Sequence, residues 1–150
     1  MIKKLTVLVF ALVIFTMEVH AQYNTGDSNL NSSLLIIDDG AKADESAFKT
    51  EMSVSYNVPE TKITSWLKSG LKPGDVFLSI EIGRLTKKPV DDVVKVYQSN
   101  KKKGWGAIAK DLGIKPGSPE FHALKGNADT KAKKSKSNQK EKAGKAKPKN

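Results

Sequence analysis

The stretch Lys72-Pro73-Gly74-Asp75-Val76-Phe77-Leu78-Ser79-Ile80-Glu81-Ile82-Gly83-Arg84-Leu85 decides the fold. Val76, Leu78, Ile80 and Ile82 alternate as in a strand, whereas Leu78, Ile82 and Leu85 share one face of a helix. The run from Val76 to Leu85 is about ten residues long and both of its neighbours are helical in pattern, which favours a buried helix. Lys72-Pro73-Gly74-Asp75 reads as a turn, with Asp75 as N-cap.

Upstream, Phe48, Met52 and Tyr56 fall at i, i+4 and i+8, a helix ending before Asn57. Pro59 suits the first position of the next helix, where its missing N–H costs nothing. Ile63, Trp66 and Leu67 follow as its apolar face, and Gly70 supplies a left-handed stop. Downstream, Val90, Val93, Val94 and Tyr97 form a full i, i+3, i+4, i+7 stripe, and Trp105, Ile108, Ala109 and Leu112 repeat it, ended by Gly113. Ser118-Pro119-Glu120 is an N-cap, a first-turn proline and an early acid, opening a short helix through Phe121 and Leu124 that Gly126 ends. The expectation is an all-α domain, a compact bundle of five to six short helices over residues 43–125. Helices this short are marginal alone and must pack on one another.

The flanks differ in character. Met1–Ala21 carries Lys3 and Lys4, an apolar run from Leu5 to Phe15 and the triplet Val19-His20-Ala21, with small residues at its first and third positions. This is the layout of a secretory signal peptide, and the run is shorter than the ~20 residues needed to span a bilayer. Cleavage would leave a protein without a transmembrane segment, secreted or periplasmic. Residues 22–42 read as a flexible lead, with Leu34-Leu35-Ile36-Ile37 as an apolar strap of undecided local structure. Residues 126–150 read as a disordered basic tail, because their lysines alternate with Ala, Ser, Gly and Asn and no aromatic or large aliphatic residue is present.

The net charge of +10 is concentrated in that tail. From residue 22 to 125, 15 Lys or Arg stand against 13 Asp or Glu, whereas from 126 to 150 nine Lys stand against two acids. Arg84 is the only arginine. Lysine is a hydrated point charge without the bidentate fork of arginine, so this basicity suits diffuse attraction to polyanions. The candidate polyanion-binding residues are Lys131, Lys133, Lys134, Lys136, Lys140, Lys142, Lys145, Lys147 and Lys149. Suitable partners are lipopolysaccharide, teichoic acid, acidic polysaccharide or extracellular DNA, bound in a steeply salt-dependent way. No aromatics are interleaved to stack on bases.

Cysteine is absent, which excludes disulfides, thiolate metal sites and cysteine nucleophiles. Glu120 and His122 are two apart and point to different helix faces, so they suggest no metal pair, and no cofactor is expected. Asp38-Asp39 and Asp91-Asp92 are adjacent and diverge, unlike paired acid/base carboxylates; Asp91 and Asp92 suit a helix first turn. The connection Gln98–Gly104 is longer than the turn of a helix-turn-helix. Gly104-Trp105-Gly106 would let a backbone or ligand approach the indole, so Trp105, with Trp66, is a candidate stacking surface for a glycan, although the stripe that starts at Trp105 favours the core.

Two resemblances accompany these readings. Lys103-Gly-Trp-Gly-Ala-Ile-Ala-Lys-Asp-Leu-Gly-Ile-Lys-Pro-Gly-Ser-Pro-Glu-Phe-His-Ala-Leu-Lys125, preceded by Pro73-Gly74-Asp75 and by Lys88-Pro-Val-Asp-Asp-Val-Val94, resembles a block found in an uncharacterised family of small exported bacterial helical proteins. It implies export and a helical fold and transfers no site. Lys72–Ile80 is similar to the opening of a LysM peptidoglycan-binding module, although a helix stands where that module has a strand. The expected function is therefore non-enzymatic binding at the cell envelope or extracellular matrix, with a LysM-like glycan-binding module using exposed tryptophan as the alternative.

Overall fold

The computed structural model describes residues 23–146. The proposed signal peptide lies outside the described residues, as do Lys147 and Lys149. Among the described residues there are seven α-helices and no strand: α1 (Ser28–Ala43), α2 (Glu45–Tyr56), α3 (Glu60–Lys68), α4 (Pro73–Thr86), α5 (Val90–Asn100), α6 (Trp105–Asp111) and α7 (Pro119–Lys145), with a 3-10 turn at Lys101–Lys103. The all-α expectation holds, with seven helices in place of five or six.

The deciding stretch is helix α4, and every residue from Gly74 to Gly83 is buried. A helix that is apolar around its whole circumference must be enclosed by others. This explains the strand-like alternation, since nearly every α4 position meets protein. Helices α1, α3, α5 and α7 pack around it. Of its two buried acids, Asp75 and Glu81, the second accepts from Tyr56 Oη at 2.5 Å, Arg84 Nη2 at 2.8 Å and Asn127 Nδ2 at 3.0 Å. The helix start is corrected by one turn. Lys72 is the cap residue, and Asp75 in the first turn reaches back to accept from Lys72 N at 2.9 Å. Similarly, Pro59 is the cap of α3, and Glu60 its first residue.

The ends of α2 and the start of α7 follow the sequence closely. Phe48 and Met52 are buried, and Asn57 closes α2 in the left-handed conformation (φ 53°). Ser118 accepts from Phe121 N ahead of Pro119.

The N-terminal lead is not a flexible strap. The apolar patch belongs to α1, where Leu30, Leu34, Ile37 and Ala41 are buried at i, i+4, i+7 and i+11. Asp27 caps this helix, accepting from Leu30 N at 2.8 Å. Asp44 then ends α1 by donating its N–H to Gly40 O and begins α2 by accepting from Ala47 N. The segment ahead of α1 is docked as well, with Trp105 N donating to Tyr23 O and Gly106 N to Asn24 O.

Candidate functional site

The basic segment read as a disordered tail continues helix α7 as far as Lys145, and Gly126 lies inside the helix. Its 27 residues span about 40 Å. The anchoring signal is small: Leu124, Ala128, Lys131, Ala132 and Ser135 are buried at i, i+4, i+7, i+8 and i+11. Alanine and serine form a face that needs no large side chain, because α1 comes in close. A Cβ on Gly40 of α1 would lie 2.7 Å from Ser135 Cβ. Ion pairs set the register. Lys125 meets Asp27 at 2.6 Å, Lys131 meets Glu51 at 2.6 Å, Lys134 meets Glu51 at 3.2 Å, and Lys142 bonds Asp44. The matching of Asp27 with Lys125, Gly40 with Ser135 and Asp44 with Lys142 makes α1 and α7 parallel.

This geometry divides the candidate lysines into two groups. Lys131 is 9% exposed and lies over the Phe48 ring, 5.4 Å from its centroid. With Lys134 and Lys142 it pairs with carboxylates of the bundle. Burial raises the Glu51 carboxyl, but Lys131 and then Lys134 outweigh this and hold it below the ordinary range. Asp44 is likewise held down by its bond to Lys142, and Asp27 by Lys125.

The outward group is Lys133, Lys136 and Lys140, at i, i+3 and i+7 along one exposed face over about 10 Å. Among the described residues, Lys133 pairs with the exposed i, i+4 partner Asp129 and Lys145 with Glu141. Lys136 and Lys140 make no ion pair among the described residues.

Both tryptophans are inside the protein, which corrects the expectation of an exposed stacking surface. Trp105 is 2% and Trp66 8% exposed. The Trp105 indole is stacked on Tyr97, with ring centroids 4.4 Å apart and 7° between planes, and its Nε1 donates to Asp75 Oδ1 at 2.8 Å. The close approach that Gly106 permits is made by the chain itself, since a Cβ there would lie 2.7 Å from Thr25 O. The same polar knot contains Tyr23 Oη, donating to Asp38 Oδ2 at 2.5 Å, and Gly74 N, donating to Asp38 Oδ1 at 2.8 Å. Burial pushes the Asp38 carboxyl up despite these bonds, and burial beside carboxylates pushes the Tyr23 and Tyr97 phenols above their ordinary range. In the sequence Asp38 is half of an adjacent acid pair with Asp39. Its partners come from residues 15 and 36 positions away and leave no local signature.

Every buried side-chain polar atom among the described residues has a partner. No group of three or more His, Cys, Asp or Glu there is arranged to hold a metal ion, and no helix there is long and apolar enough to cross a membrane. His122 is exposed and packs edge-on against Phe121. The segment similar to a LysM opening is α4, enclosed by other helices, and the described residues contain no strand to complete such a module. Compared with protein-family models, curated proteins and solved structures, the chain matches none.

Proposed function

We propose that this is an exported, non-enzymatic binding protein of the cell envelope or extracellular matrix that holds anionic polymers on the outward face of α7. The observation that carries the reading is the row Lys133, Lys136 and Lys140, of which Lys136 and Lys140 make no ion pair among the described residues. A helix fixes these ammonium groups in a line, so fewer chain configurations are lost on binding than from a disordered tail. Lys147 and Lys149 follow in the sequence. The resemblance of the Lys103–Lys125 block to small exported bacterial proteins and the layout of Met1–Ala21 support export.

The test is equilibrium binding of the purified protein to duplex DNA, lipopolysaccharide and teichoic acid between about 50 and about 200 mM salt. Several lysine–phosphate contacts give a steep fall in affinity, with log K changing by about −0.9 per contact per decade of salt on DNA. Lys136→Gln with Lys140→Gln should flatten that slope. A slope unchanged by the double substitution, or affinity indifferent to salt, excludes the reading.

A further inference from the structure

A cleft of about 190 Å³ lies between the α1–α2 corner and the distal half of α7. Ala41, Ala47 and Phe48 give it an apolar floor, and its lining includes Asp44, Glu51, Lys131 and Lys142. It is smaller than the ~300–1,000 Å³ clefts that take drug-sized molecules, so its occupant is of amino-acid size. Three acids and three lysines balance in its lining: Lys145–Glu141 lies along the exposed flank of α7, and the other two pairs form two layers. The inner pair, Lys131–Glu51, is largely covered, its side chains 9% and 18% exposed, and it is braced on the Phe48 ring. The outer pair, Lys142–Asp44, joins α7 to the start of α2 and is far more open, at 60% and 29%. Exposed pairs of this kind contribute little and open readily.

Opening the outer pair releases one anion and one cation beside an apolar floor. A ligand with a single charge would take one partner and strand the other. A zwitterion replaces both, its ammonium on Asp44 and its carboxylate on Lys142, and no charge loses its partner. Asp44 can do this without uncapping α2, because Oδ1 accepts from Ala47 N while Oδ2 faces Lys142. We propose that this cleft binds a free amino acid with an apolar side chain, which packs over Ala41 and Phe48 and displaces water from the exposed Ala43 and Ala47. The site is separate from the outward lysine row, since Lys133, Lys136 and Lys140 do not line it.

The experiment is an NMR titration of the purified, isotope-labelled protein with L-leucine and with N-acetyl-leucinamide, which has the same side chain and no charges. L-leucine should produce saturable shifts at the amides of Ala41, Ala47 and Phe48 with Kd of about 1 mM or below, and N-acetyl-leucinamide should bind at least about tenfold more weakly. Asp44→Asn retains a capping oxygen and removes the charge; it and Lys142→Gln should each weaken L-leucine about tenfold, and Lys136→Gln should leave it unchanged. Equal binding of the two probes, no saturable shift below about 10 mM, or full affinity in both variants overturns the proposal. Should the spectrum of Asp44→Asn show α2 unravelled, the exposed Lys142→Gln variant decides alone.

Discussion

Gly40 of α1 and Ser135 of α7 face each other so closely that a Cβ on Gly40 would lie 2.7 Å from Ser135 Cβ. That contact lies within the segment that composition marks as tail, and it explains how a lysine-rich stretch is held as helix. Alanine at position 40 gains up to ~1 kcal/mol of helix propensity but forces two backbones apart, at a cost of about 1–3 kcal/mol. Gly40→Ala should therefore destabilise the protein by up to about 2 kcal/mol. Gly126, also inside a helix, has open space where its Cβ would be, so Gly126→Ala should stabilise by about 0.5–1 kcal/mol. Urea unfolding of both variants checks the pair. A gain at Gly126 is expected only if α7 is continuous there.

Trp105→Phe keeps an aromatic ring against Tyr97 and removes the donor to Asp75 Oδ1. Leaving that buried carboxylate oxygen short of a partner should cost about 1–3 kcal/mol, and Trp105→Ala should cost about 3–5 kcal/mol through the added cavity. Glycan binding, if any is found, should not follow the loss of the indole in a folded variant. Thermal unfolding beside a glycan pull-down separates the two roles.

The inner and outer lysines of α7 should behave in opposite ways. Lys131→Met removes the near-buried partner of Glu51 and should lower stability by about 1–3 kcal/mol. Lys136→Gln should stay within about 0.5 kcal/mol of the parent while reducing the salt slope of polyanion binding. Denaturation and binding curves on the two variants make the comparison. Equal stability loss in both would place Lys136 in a contact it does not make here.

Acid stability should have two opposing parts. Asp27 and Glu51 have lowered folded pKa values, so their contribution is complete above the unfolded value near ~4 and is lost as pH falls through the folded values. Asp38 is raised, chiefly by burial, so from about pH 4 up to its folded value the native state binds the extra proton and stability falls as pH rises. Asp38→Asn, which can still accept from Gly74 N, should abolish that fall and make the stability profile above about pH 4 flatter or rising. Urea midpoints at closely spaced pH values test this, and identical profiles would count against a raised Asp38.

The sequence by itself determined the helical class and most helix ends, because those are local properties. The Phe48–Met52–Tyr56 stripe, the left-handed stop at Asn57, the Ser118-Pro119 start and the buried helix over Val76–Leu85 are written in spacing and capping residues a few positions apart. Leu30, Leu34, Ile37 and Ala41 are also a legible stripe, obscured by the compact Leu34–Ile37 run within it. Only the tertiary structure decided that the basic segment continues as helix α7 as far as Lys145. Ala128, Ala132 and Ser135 carry too little apolar area to announce a core, and they become one because Gly40 lets α1 come within contact distance. The same packing turned Trp66 and Trp105 inward and sorted the lysines into anchors and an open row. Such outcomes depend on partners such as Asp27 with Lys125, Asp44 with Lys142 and Asp75 with Trp105, which meet only after the helices have assembled.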